Sequence, residues 1–206
     1  GVAERRRPSE PPQISPRRVS LRDARVAQPS LTRSYLAPSH ASADGDAVAL
    51  QVFAEILGNK STSRLYQALV VKRQLAAWAG SSFQPMSLDS ARFYVYADAL
   101  PGVSIAQVEA ALDEVIAELL LNGPSEEEVA AAKGRMRDVV VYALDSPQAV
   151  ASIFGNALSV GLRVEDVESW PERVAAVTRQ RIMAAARAVL RLELSVTGML
   201  LPVEGG

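Results

Sequence analysis

The residues that could do chemistry in this 206-residue chain are few, and their spacing excludes most reaction classes. There is one histidine, His40, in a Pro/Ser loop, and no cysteine. Disulfides and thiolate metal sites are therefore excluded. No serine lies in a Gly-x-Ser-x-Gly elbow, and nothing near His40 suggests a triad. A catalytic zinc needs about three protein ligands and an open position for water. Gln51 and Glu55 stand four apart on one helix face, but without a histidine they make an unusual and weak zinc site. Carboxylates alone suit calcium or magnesium better. Leu57-Gly58-Asn59-Lys60-Ser61-Thr62 holds a Lys-Ser pair but lacks the first glycine of a phosphate loop, so it reads as a turn and cap. Ser125-Glu126-Glu127-Glu128 reads as a capping box with acid at a helix N-terminus, not as a metal cluster.

Binding classes are narrowed in the same way. The net charge is −1, which gives no reason to expect nucleic acid or an anionic membrane. Arg5-Arg6-Arg7 is flanked by Glu4 and Glu10, with no aromatic residue interleaved, and reads as solvated linker. Phe93-Tyr94-Val95-Tyr96 reads as a covered strand rather than a base-stacking platform, because its surroundings are not basic. No apolar run approaches the ~20 residues that span a bilayer. The chain starts at Gly1 rather than Met, which reads as a processed or excised piece.

The elements that must position these residues follow from pattern. Apolar residues are 49% and charged residues 22%, ordinary for a globular protein. Residues 1–16 are Pro-rich and charged, a linker composition, and residues 17–206 form the domain. Strands are predicted over 17–23, 24–37, 75–83, 92–97 and 194–201. Helices are predicted over 47–57, 63–73, 104–122, 125–145, 148–160, part of 164–177 (broken by Pro171) and 178–190. Ser61, Thr62 and Ser63 are expected to cap the second helix. The apolar row Val129, Ala132, Met136, Val139, Val140 and Ala143 is expected to bury the long helix that follows Ser125. Strands close in sequence with helices between them argue an α+β fold and a mostly antiparallel sheet.

The stretch 57–76, LGNKSTSRLYQALVVKRQLA, is specific. With its glycine loop, Ser63-Arg64-Leu65-Tyr66 and the strand beginning Leu75-Ala76, it resembles the non-catalytic C-terminal half-domain of the insulinase/pitrilysin (inverzincin) family of zinc metallopeptidases. Bacterial processing-peptidase-like proteins share the likeness, which continues more weakly from about Arg18 to Pro202. The resemblance implies a sheet of about six strands packed on a layer of helices. The family's active half carries His-x-x-Glu-His on its first long helix, the histidines binding zinc and the Glu acting as general base. The homologous region here is Ala49–Glu55, with Ala54 near the place of the base. Non-catalytic halves contribute an Arg and a Tyr to substrate binding, and those positions fall on Val70 and Ala77. Arg64 or Arg73 are the available substitutes.

The implied function is a catalytically inactive half of a zinc-dependent endopeptidase that forms one wall of the substrate chamber. Its partners would be a homologous zinc-bearing half-domain and, through the parent protein, a peptide; a homodimer is a further expectation. No cofactor is expected in this chain and zinc is expected in the partner half, so the chain alone is not an enzyme. Relatives in bacteria are exported to the envelope or periplasm. The alternative is a non-enzymatic scaffold subunit related to processing peptidases. A third reading is an enzyme with an unrecognised site.

Overall fold

The computed structural model describes residues 11, 13–41 and 46–203. Most of the linker expected over 1–16 lies outside them, and Gln13–Pro16 carry no regular element. The chain order is β1 (Arg17–Arg22), β2 (Ser30–Ala37), α1 (Asp46–Leu57), a π-helix (Tyr66–Lys72), β3 (Ala76–Gln84) and β4 (Ala91–Ala99). Then come α2 (Ile105–Asn122), α3 (Glu126–Leu144), α4 (Pro147–Ser159), α5 (Val164–Glu168), α6 (Trp170–Ala176), α7 (Arg179–Val189), a 3-10 turn (Leu192–Leu194) and β5 (Ser195–Leu201). The fold is α+β, with five strands among the described residues where about six were expected.

The sheet order is β1-β5-β2-β4-β3, so the last strand enters between the first two. Only the β1/β5 pair is parallel. One face of the sheet is apolar and carries the helices. Leu31, Tyr35, Phe93, Val95 and Ala97 on this face are buried in the core between sheet and helices, with Phe93 beside Phe53 of α1, and Leu50, Val52, Phe53 and Leu57 of α1 are fully enclosed. Helix α1 is buried on nearly its whole circumference because α7, α3 and α6 pack around it.

Local signals place the long helices. Ser104 caps α2 through a box with Gln107, and Ser125 caps α3 through a box with Glu128. Thr178 caps α7, accepting from the Arg181 N–H. Pro171 stands in the first turn of α6, so it starts that helix rather than breaking one; the break falls at Ser169.

Four details differ from the sequence reading. The second strand begins only at Ser30, because the Asp23 carboxylate accepts from the Arg25 N–H and holds a turn ahead of Pro29. The helix expected over 63–73 is a π-helix, with Arg73 N–H bonded to Ala68 C=O. Its expected Ser/Thr cap is not made: Ser63 Oγ is buried without a partner, and the Ser63 carbonyl instead accepts from the Gln67 N–H. The α3 row buries Val129, Ala132 and Met136, but Val139 is 61% exposed, because the helix runs on past the core.

Gln74, just before Leu75-Ala76, has φ +51°. This left-handed backbone costs a non-glycine residue on the order of 1 kcal/mol. Gln74→Gly is expected to stabilise the domain by about 0.5–1 kcal/mol and raise Tm by about 2–4 °C. A thermal melt showing no gain would remove the strain assignment.

A buried ionic network joins the sheet to α2. Arg33 of β2 is 1% exposed. Its Nη2 donates to Glu109 Oε1 (2.7 Å), its Nη1 to Asp113 Oδ1, and its Nε to Thr197 Oγ1 of β5 (2.9 Å). Arg18 of β1 grips the same Glu109 with both Nη atoms, at 2.6 and 2.7 Å.

Candidate functional site

The region expected to stand in place of the family's zinc helix lies on α1, and the side chains weighed there are engaged in packing. Gln51 Oε1 accepts from Trp170 Nε1 of α6 at 2.9 Å. Glu55 accepts from Asn59 Nδ2 and lies 3.6 Å from Arg135 Nε of α3. Ala54 is buried, and its carbonyl accepts from Ser81 Oγ and the Gly58 N–H, each at 3.0 Å. Gln51 and Glu55 therefore tie α1 to its neighbours. Among the described residues no group of three or more His, Asp or Glu is placed to hold a metal ion.

His40 sits in the turn after β2, its N–H donating to Pro85 C=O at 3.0 Å. Burial, then the Arg173 charge, pushes its imidazole down to about 4, against the opposing pull of Gln51 and Asp166. The unfolded chain takes up this proton near 6.5 and the folded protein only near 4, so stability is full above about pH 6.5 and falls as pH drops through that window. The loss attributable to His40 is expected to be about 3 kcal/mol by pH 4. Urea unfolding of the parent chain and His40→Gln at pH 7, 5.5 and 4.5 checks this. The variant should lose less on acidification, and parallel losses would rule out His40 as the cause.

The two positions that the resemblance ties to substrate binding lie on the π-helix and at the start of β3. Val70 is half-buried on the π-helix. Ala77 is exposed and forms the extra residue of a β-bulge, since Ala76 pairs Ala99 while Trp78 pairs Asp98. Both arginines named as substitutes are ion-paired to other helices. Arg64 is ion-paired to Glu128 of α3 (2.6 Å), and Arg73 to Glu114 of α2 (2.6 Å). Sequence reasoning missed the neighbour of Ala77: Trp78 is 46% exposed and stacks edge-on against Tyr66, with ring centroids 5.4 Å apart. An aromatic residue one place after the vacated Tyr position was the available signal.

A further surface is the sheet face away from the helices. Strand register lays its side chains in rows. Leu21, Leu200, Ser30, Asp98 and Trp78 form one; Val19, Gly198, Thr32, Tyr96 and Gly80 the next; Arg17, Val196, Ser34, Tyr94 and Ser82 a third. Val19 and Leu21 are more than half exposed, and Tyr94 and Tyr96 half-buried. The face thus mixes apolar, aromatic and small polar groups and holds no nucleophile–base pair. It can make van der Waals and hydrogen-bonding contact with an extended chain. Its β3 edge is blocked midway, where the Ser81 N–H bonds Gly58 C=O at 3.1 Å.

With this geometry in place, known proteins give a consistent comparison. The family described as the peptidase M16 inactive domain matches residues 2–136. An uncharacterised zinc protease of Mycobacterium leprae is 31% identical over 143 residues, which cover 69% of this chain and 32% of that protein. A protease from Helicobacter pylori superposes with a TM-score of 0.87 at 21% identity, covering 98% of this chain and 48% of its own. The M16 inactive domain from Pseudomonas fluorescens gives 0.79 at 23% identity, with 98% and 47% covered. At these identities the structural likenesses show the fold alone. The chain spans about a third of the mycobacterial relative and about half of the other two. By its match over residues 2–136, the chain belongs to the peptidase M16 inactive-domain family.

Proposed function

We propose that this chain is the catalytically silent half of a zinc-dependent endopeptidase, and that its open sheet face forms one wall of the substrate chamber. The observation that carries this reading is the two-faced sheet: helices cover one side, while the other presents Val19, Leu21, Trp78, Tyr94 and Tyr96 with no helix over them among the described residues. A homologous zinc-bearing half would close the chamber opposite, supplying both the metal and the general base. The Helicobacter chain, about twice as long as the segment matched here, has room for such a half. Val70 and Ala77 contribute no side-chain hydrogen bond to the peptide. A periplasmic location is part of the proposal, supported by the fold likeness to the periplasmic protease PqqL of Escherichia coli (TM-score 0.70).

The apolar character of Val70 and Ala77 favours a second reading, a scaffold subunit that binds its partner without touching substrate. One experiment separates the two. Residues 1–206 are mixed with the zinc-bearing half of the same parent protein, binding is followed by calorimetry, and cleavage of an unstructured peptide is assayed. The chain alone is expected to hold no stoichiometric zinc and to cleave nothing. The mixture should form a complex and cleave faster than the zinc-bearing half alone. Binding without acceleration would favour the scaffold, and no binding at high micromolar concentration, with both pieces folded, would remove the half-domain reading.

A further inference from the structure

A cavity of about 210 Å³ lies among α1, α3, α4, α5, α6 and the loops holding His40 and Met86. None of its lining residues belongs to the open sheet face. The walls are apolar, formed by Val140, Ile153, Leu162, Val167 and Trp170. His40, Gln51, Asp166 and Arg173 break this character, and two of their nitrogens, His40 Nε2 and Arg173 Nε, are buried and meet no hydrogen-bond partner within the structure.

The nearby acceptors each hold another partner. Gln51 Oε1 takes Trp170 Nε1, and the Asp166 carboxylate takes the Arg163 N–H at 2.8 Å. Arg173 uses Nη2 on the Asp166 carbonyl at 2.6 Å, which leaves its Nε unmatched. Arg173 Nε is a permanent donor, and His40 Nε2 donates in one of its two tautomers. A buried donor without an acceptor is costly, more so when charged. A ligand oxygen placed between these nitrogens would remove that cost.

We infer that this cavity binds a small amphipathic carboxylate, its head on Arg173 Nε and His40 Nε2 and its apolar body against Val140, Ile153, Leu162 and Trp170. At roughly 30 Å³ per water-sized group, the space takes about seven such groups, the size of hexanoate or benzoate. The site is separate from the proposed chamber wall, so it stands whether or not this half faces a peptide.

The test uses the two tryptophans. In a Trp78→Phe background, Trp170 alone reports on the cavity. Hexanoate, benzoate, hexanol and hexylamine are titrated against its fluorescence, with calorimetry in parallel. Hexanoate and benzoate should bind saturably, and hexanol and hexylamine at least about tenfold more weakly. Arg173→Gln should weaken hexanoate by a similar factor, and Val140→Phe, which fills the cavity, should abolish binding. Should either variant unfold by circular dichroism, the comparison of the four probes on the parent chain decides. Equal binding of hexanol and hexanoate, hexanoate binding that survives both variants, or no saturation at about 10 mM hexanoate would each overturn the assignment.

Discussion

Gly58→Ala is expected to destabilise the domain by about 4 kcal/mol or more, or to prevent folding. A β-carbon at Gly58 would stand 2.0 Å from Ser81 N and 2.4 Å from Gly80 C. These are backbone atoms of β3 and cannot swing aside. Relief requires α1 and β3 to separate by an ångström or more. That movement breaks the Ser81 N–H bond to Gly58 C=O and weakens the Ser81 Oγ bond to Ala54 C=O. It also loosens Leu57 and Ala79, both buried, beside the contact. Gly80 is the other half of the same close approach: its β-carbon would meet Gly58 O at 2.7 Å and Tyr96 Oη at 2.8 Å. The control is Gly134 in α3, where a β-carbon meets nothing within 4 Å. Gly134→Ala should be stabilising by about 0.5–1 kcal/mol, because alanine is the better helix former. Urea unfolding of the two variants tests the pattern. A Gly58→Ala loss under about 1 kcal/mol would show that α1 does not approach β3 this closely.

This contact marks the limit of what the sequence discloses. The glycine in Leu57-Gly58-Asn59 reads as a turn, and its turn role is local. Its need to be glycine comes from Gly80 and Ser81, more than twenty residues on, and no local pattern announces that. The capping box at Ser125 was legible because both partners lie within three residues. The insertion of β5 between β1 and β2 was not, since each strand's alternation is satisfied by several sheet orders. Leu65, Ala68 and Leu69 share a face at either α or π winding, so periodicity could not choose between them. Val139 continues the α3 stripe in sequence, yet α3 outruns the core it would pack on. For the site, the lack of a His-x-x-Glu-His motif follows from residue types alone. The Trp170–Gln51 bond, spanning 119 positions, depends on the assembled helices. One tertiary feature did leave a trace: Arg33 falls between Leu31 and Tyr35 on the apolar face of β2, where a charge demands a partner.

That partnership is expected to be strongly asymmetric. Removing the acids by Glu109→Leu with Asp113→Leu leaves the Arg33 guanidinium enclosed, at 2% side-chain exposure, with the neutral hydroxyls of Thr197 and Tyr35 in place of its carboxylates. An uncompensated buried charge of this kind costs about 3–5 kcal/mol. Removing the cation by Arg33→Met has a smaller effect. Glu109 keeps its two-pronged bond to Arg18, and Asp113, already 41% exposed, turns to water. The methionine fills much of the arginine's space among Leu31 and Tyr35, so the loss should stay near 1 kcal/mol, chiefly from the Thr197 hydroxyl. Acid narrows the contrast. The Arg18 hydrogen bond holds the Glu109 carboxyl below its usual range, against partial burial and with added pull from the Arg33 charge. The stability it brings is therefore present above about pH 4.5 and is lost as pH falls through the lower folded value. Urea unfolding at pH 7 should rank the double acid variant far below Arg33→Met. Equal losses in the two would mean that mutual attraction, rather than the burial of Arg33, governs the network.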